Sequence, residues 1–241
     1  SKDNNVDIPQ TYSLSEFKNL EFKNVSFRYS ENSKYILKDI SFKINAGEKI
    51  GIIGTTGSGK STLIDLIMGL LPPTKGEILV NNKKINSKNL NLLMSWRKSV
   101  AHVPQSIFLT NGTIEENISF GLSKKSYLLS DLKFASKVAC IYDFVNNLPQ
   151  KFQSHVGERG VKISGGQLQR IGLARAIFKR KDFMILDEAT SSLDEKKEKN
   201  VIKNIEENTL FNTILMISHR LTTIKNCDRV LEIKDASIFE K

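Results

Sequence analysis

Gly54-Thr55-Thr56-Gly57-Ser58-Gly59-Lys60-Ser61-Thr62 is the stretch on which the reading of this chain turns. It follows an apolar, β-like run, Lys49-Ile50-Gly51-Ile52-Ile53, and precedes a helix-like one, Leu63-Ile64-Asp65-Leu66-Ile67-Met68. Gly, four residues, then Gly-Lys-Ser between a strand and a helix is a phosphate-binding pattern in the context it requires. Glycines let the backbone bend so that successive N–H groups converge on a polyphosphate with no Cβ in the way. The helix start beyond them adds unpaired N–H donors and the positive end of a dipole. Lys60 neutralises outer phosphates, and the small, hard hydroxyl of Ser61 suits Mg²⁺. The stretch is expected to hold a nucleoside triphosphate.

At 241 residues the chain is one large domain or two small ones, and 39% hydrophobic residues suffice for a conventional core. No window approaches the roughly 20 apolar residues of a membrane-spanning helix; Leu63 to Leu71 is short and interrupted by Asp65 and Gly69. With no charged-then-apolar leader, secretion is not expected. Cys140 and Cys227 lie far apart without metal-ligand spacing and read as buried, reduced thiols, which fits a cytoplasmic setting. The net charge of +10 fits nucleic acid, an anionic membrane surface or merely a lysine-rich composition. The lysines are scattered (Lys83-Lys84, Lys124-Lys125, Lys196-Lys197) without interleaved aromatics, which favours solvated faces.

Residues Ser1 to about Asn19 are polar and aperiodic, a linker or docking arm. Strands are expected from Leu20 to Tyr29 and over Ile36 to Ile44, then a turn at Asn45-Ala46-Gly47-Glu48 into the strand before the loop. Tyr29, at the end of the first strand, packs or stacks on a purine, with packing the commoner fate of a strand tyrosine. Pro72-Pro73 stops the helix after the loop, and a hairpin is expected around Asn81-Asn82. Ser99 to Val103 is β-like and ends at Pro104-Gln105; a glutamine beside a phosphate site can ligate Mg²⁺ or orient water. From Ser106 to about Gly160 the pattern is helical, with a capping Thr113 before Ile114 to Ile118 and helical spacing over Leu128 to Leu148.

Ser164-Gly165-Gly166-Gln167 leads directly into another helical run, Leu168 to Arg180, and reads as a second anion-binding helix start. A single nucleotide pocket does not call for two. Phe183-Met184-Ile185-Leu186 is a short apolar strand ending in Asp187-Glu188. Such a strand delivers its C-terminal residues to the ligand edge of an open α/β sheet, where Asp187 joins the Mg²⁺ shell and Glu188 polarises an attacking water. Ser192-Leu193-Asp194 follows on a turn, and Glu195 to Asn208 reads as a solvated helix. Thr213 to Ile217 is a buried strand ending in Ser218-His219-Arg220, on the same edge, and Arg229 to Ile233 is the last strand expected. His102 and His155 read as structural.

Assembled, the chain resembles the nucleotide-binding domain of ABC transporters from about Leu20 to Lys241. The resemblance implies an α/β P-loop NTPase (RecA-like) core with an antiparallel β subdomain and an inserted α-helical subdomain. It implies a linker over 1–19, a core over 20–105 and 173–241, and a helical subdomain over 106–172. Tyr29 matches the adenine-stacking aromatic, Gly54 to Thr62 the Walker A loop, and Gln105 the Q-loop. Ile163 to Gln167 matches the family signature, Phe183 to Glu188 Walker B, Ser192 to Asp194 the D-loop, and His219 the switch histidine. Glu188, His219 and Lys60 would be catalytic; Ser61, Gln105 and Asp187 would hold Mg²⁺. Ile163 stands where Leu is usual and Ser192 where Ala is usual, both keeping size roughly.

In that family the Ser164 to Gln167 segment reaches the γ-phosphate of ATP held by a second copy, which accounts for the second helix start, and ATP-driven dimerisation powers the cycle. Thr113 to Ile118, Val156-Gly157-Glu158-Arg159-Gly160 and His219 to Ile224 resemble the exporter type. The resemblance therefore implies a membrane domain, on the same longer chain, that recognises the substrate, and a place at the cytoplasmic face of a membrane. A soluble ABC-type ATPase acting on nucleic acid or ribosomes is the alternative. The coiled-coil insertions or tandem cassettes of those proteins are missing here, so nucleic acid is not an expected partner.

Overall fold

The computed structural model describes residues 16–157, 163–207, 213–218 and 220–241. Strands β1 (Asn19–Phe27), β2 (Leu37–Asn45) and β3 (Lys49–Ile53) lead through the glycine-rich loop into α1 (Lys60–Ile67). Next come β4 (Lys75–Val80), β5 (Lys83–Lys84), α2 (Leu90–Ser99) and β6 (Val100–Val103). A helical stretch carries α3 (Ile114–Ile118), α4 (Leu129–Val138), α5 (Tyr142–Asn146) and α6 (Gly165–Phe178). It is followed by β7 (Phe183–Asp187), α7 (Glu195–Glu206), β8 (Thr213–Ile217), α8 (Leu221–Ile224), β9 (Arg229–Lys234) and β10 (Ser237–Glu240).

Among the described residues the strands form two sheets, one of order β2-β1-β4-β5 and one of order β10-β9-β3-β8-β7-β6. The first is antiparallel throughout. In the second, β9, β3, β8, β7 and β6 run parallel and β10 pairs antiparallel with β9. Parallel strands with both faces covered need side chains that are apolar on both faces, and β8 is buried at every position. Alternate residues serve two cores. Ile50, Ile52, Phe183, Ile185, Leu215 and Ile217 join α1, α2 and the antiparallel sheet; Met184, Leu186, Ile214 and Met216 join α4 and α6 on the other face. The mixed α/β fold class expected from the sequence is the one observed.

Local chemistry explains where elements differ from expectation. Phe17, within the stretch read as a linker, is 3% exposed and packs against Trp96 and Phe183 at centroid distances of 5.5 and 5.2 Å. The chain is therefore anchored to the core before β1 begins. Leu128 to Leu148 is two helices, because Cys140 takes φ of 55° between α4 and α5. A further strand, β10, follows the one read as last, across Asp235 and Ala236 at φ of 50° and 61°, a turn without the Asn-Gly signal. The expected hairpin at Asn81-Asn82, with φ of 51° and 63°, joins β4 to β5. The two cysteines are free but half-buried, and burial pushes the Cys227 thiol up to about 12. No helix among the described residues is long and apolar enough to cross a membrane.

Candidate functional site

Strand order brings the C-terminal ends of β3, β8, β7 and β6 side by side at one edge of the large sheet. The glycine-rich loop leaves that edge from β3. Its last glycine, Gly59, is the N-cap of α1 at φ of 107°, and no side chain caps the helix. A Cβ there would be strained and would stand 3.1 Å from Ile36 Cγ2. The first N–H groups of α1 thus open toward the loop rather than onto a capping side chain. Lys60 Nζ donates to the carbonyl oxygens of Gly54 at 2.7 Å and Thr55 at 2.9 Å, so its ammonium arches back over the loop. The Ser58 hydroxyl is buried without a partner among the described residues.

Gly57, Gly59 and Lys60 line a cleft of about 310 Å³ together with Thr56, Ser61, Thr62, Gln105, Asp187 and Glu188. Glu188 leaves β7 with φ of 47°, and its N–H donates to Ile217 O of the neighbouring β8 at 3.0 Å. That hydrogen bond holds the turn open over the sheet edge. Gln105 Nε2 donates to Glu188 Oε2 at 2.7 Å. Burial raises the Asp187 carboxyl above the usual carboxylate range, and the Glu188 charge adds to this, against the opposing pull of Lys60. Tyr29 lies just beyond β1, 64% exposed, edge-on to Phe27, with its hydroxyl 3.1 Å from Thr62 Oγ1. Its ring is thereby tethered beside the cleft without being buried by the core.

Other expected site residues stand elsewhere. None of Ser164, Gly165, Gly166 and Gln167 lines the cleft. Ser164 caps α6 in a reciprocal pair: its hydroxyl accepts from the Gln167 N–H at 3.4 Å, and Gln167 Oε1 accepts from the Ser164 N–H at 2.9 Å. Asp194 caps α7, accepting from the Lys197 N–H at 2.9 Å and pairing with Lys197 Nζ at 2.5 Å; both contacts hold its carboxyl below the usual range. His219 and Glu158 to Gly160 lie outside the described residues.

Three residues that tie the site to its surroundings escaped the sequence reading. Gln169, on α6, donates from Nε2 to Ser191 Oγ at 2.9 Å and accepts from the Ser192 N–H at 2.8 Å. Arg175, on the same helix, donates to Asn117 O at 2.7 Å and Phe108 O at 3.0 Å, binding α6 to the segment after Gln105. Glu198 is buried in α7, a helix read as solvated. A signal was available for it: Glu198, Val201, Ile202 and Ile205 share one helical face.

The ABC transporter family model matches residues 37–191. The chain is 39% identical over 222 residues to an ATP-dependent lipid A-core flippase of Haemophilus influenzae, covering 92% of this chain and 37% of the flippase. It is also 39% identical over 224 residues to mouse ATP-binding cassette sub-family B member 5, covering 92% of this chain and 18% of that protein. Among solved structures, a bacterial Atm1-family ABC exporter with ATP bound matches at a TM-score of 0.87 and 33% identity, over 97% of this chain and 40% of that one. The chain spans well under half the length of these relatives. With the family model matching more than half of its residues, the chain belongs to the ABC transporter family.

Proposed function

We propose that this chain is the ATP-binding and ATP-hydrolysing domain of an ABC exporter or flippase. The observation that carries the reading is the convergence of Lys60, Ser61, Gln105, Asp187 and Glu188 on one cleft at the sheet edge. Lys60 and the N–H groups from Gly54 to Thr62 receive the phosphates, exchanging the contacts to Gly54 O and Thr55 O for contacts to the ligand. Tyr29 offers an exposed ring for the adenine. Ser61, Gln105 and Asp187, which line the same cleft, would hold Mg²⁺. Their chemistry fits: burial and Glu188 disfavour the Asp187 charge, and a divalent cation relieves both. Mg²⁺, when bound, neutralises phosphate charge. Glu188 accepts the proton of the attacking water, and His219 contacts the γ-phosphate.

Ser164 to Gln167 are exposed or half-buried and do not line the cleft of their own chain, which supports a role for them, and for Asp194, toward ATP held by a second copy. The share of the flippase that the chain covers, 37%, leaves room for a membrane domain on the same longer polypeptide, with this domain at the cytoplasmic face. In this reading residues 1–19 lead in from that domain and 106–172 form the helical subdomain that faces it. Phosphate release from Mg-ATP, measured over a range of protein concentrations, tests the reading. Turnover per chain is expected to rise with concentration, and Glu188→Gln to collect as an ATP-dependent dimer on a sizing column with turnover abolished. Normal hydrolysis in Glu188→Gln, or turnover per chain independent of concentration, overturns it.

A further inference from the structure

A carboxylate is costly to bury unless its oxygens are satisfied, and Glu198 is 4% exposed. Its Oε1 accepts from the hydroxyls of Thr190 and Thr223, each at 2.7 Å, and its Oε2 pairs with the Arg220 guanidinium. The three partners come from two separate places: Thr190 lies two residues past Glu188, while Arg220 and Thr223 follow β8. Arg220 then reaches the same turn again, donating to Ser191 O at 3.2 Å and Leu193 O at 3.4 Å. The turn is also closed on itself, with the Ser191 N–H donating to Glu188 O at 3.1 Å and the Leu193 N–H to Thr190 O at 3.0 Å. One ion pair, with Glu198 buried and Arg220 reaching it from the surface, therefore grips a hydroxyl and two carbonyls of the segment that leaves the cleft. Glu188, at its head, holds φ of 47°, a conformation that a residue with a side chain keeps only when its surroundings impose it.

We propose that Glu198, acting with Arg220, is a positioning residue of the ATPase site. It clamps the turn from Thr190 to Leu193 so that Glu188 keeps its left-handed backbone and its aim into the cleft. Glu198 does not line the cleft and touches neither the phosphate loop nor Tyr29, so nucleotide binding is independent of it. The inference rests on the hydrolytic role proposed for Glu188. A network that served stability alone would alter the unfolding temperature and leave turnover per folded chain unchanged.

The test compares wild type, Glu188→Gln, Glu198→Gln, Arg220→Lys and Thr223→Val in steady-state ATP hydrolysis, each normalised to folded protein by circular dichroism. Glu198→Gln turns an amide N–H toward groups that are themselves donors. Its kcat is expected to fall about ten- to a hundred-fold, the scale of a small misplacement of a reacting group, with KM for ATP within about two-fold of wild type. Arg220→Lys keeps the charge opposite Glu198 but cannot span both carbonyls, and an intermediate loss in kcat is expected. A folded Glu198→Gln with wild-type kcat, or with kcat and KM displaced together, overturns the inference. If Glu198→Gln does not fold, Arg220→Lys and Thr223→Val decide in the same way, and unchanged kcat in both overturns it. Activity lost in Glu188→Gln but kept in Glu198→Gln defeats the positioning role alone. Activity kept in Glu188→Gln, or absent from wild type, removes the ATPase reading and the positioning role with it.

Discussion

Two helix starts in this molecule are built from similar residues and end in opposite states. Gly54 to Thr62 and Ser164 to Gln167 each bring serine and glycine to the first turn of a helix. At α1 the N-cap is Gly59, without a side-chain cap, and the loop ahead of it folds around a cleft with Lys60 overhead. At α6 the N-cap is Ser164, satisfied by its own capping box with Gln167 and outside the cleft that Lys60 lines. The difference teaches that a glycine-rich helix start is a cradle only when its donors are left open and a countercharge stands beside them. The second start is a finished surface, suited to being presented to another molecule rather than to enclosing one.

The sharpest way to break this contrast is at the lysine. Lys60→Ala is expected to weaken ATP binding by about 10- to 100-fold, the worth of a charge-assisted contact, as read by titration calorimetry. Ser164→Arg probes the other helix start. Turnover is expected to fall to background while the affinity of the dilute chain for ATP stays within about two-fold, since the serine is outside the cleft. Weakened binding in the dilute chain would show that both helix starts serve one pocket.

The two glycines sharpen the contrast on the scale of stability. Gly59→Ala must place a side chain at φ of 107° and 3.1 Å from Ile36. It is expected to cost about 1–2 kcal/mol in urea unfolding. A Cβ on Gly165 would meet only Ser192, at 3.9 Å, and Gly165→Ala is expected to be neutral or to gain about 0.5 kcal/mol. The smallest effect concerns the charge opposite the loop. The folded chain raises the Asp187 carboxyl, by burial first and by Glu188 second, so it holds that proton more tightly than the unfolded chain does. Stability from the proton is present at low pH and lost as pH rises through the raised value. Without nucleotide, Asp187→Asn is therefore expected to melt a few degrees above wild type at neutral pH. No gain is expected below the ordinary carboxylate range, and a gain that persisted there would exclude charge as the cause.

Much of this was legible in the chain because the evidence for it is local. The apolar runs at Lys49 to Ile53, Phe183 to Leu186 and Thr213 to Ile217 declare buried parallel strands, and their ends mark the ligand edge. A capping residue declared itself too, Thr113 with Glu116 three residues on. The misses share a cause: each depends on what a side chain meets across the fold. Phe17 reads as part of a polar arm until Trp96 and Phe183 are found beside it. Glu198 reads as one charge among many on α7 until the helical phase and the arrival of Arg220 bury it. The turn at Asp235-Ala236 carries no glycine, so β10 follows from pairing with β9 and not from turn chemistry.

By itself the sequence determined the phosphate loop, the acidic strand end, the strands that flank them and the family that these resemble. Such features are set by residue type at short separation, where backbone sterics, capping and periodicity act without reference to the rest of the chain. Only the tertiary structure decided that β8 lies between β3 and β7, so that residues as distant as Lys60, Gln105 and Glu188 share one cleft. It alone showed Ser164 closed upon Gln167 and Glu198 buried behind the Glu188 turn. Burial and hydrogen-bond partnership are properties of a side chain's neighbours in space, and sheet order, not sequence distance, selects those neighbours.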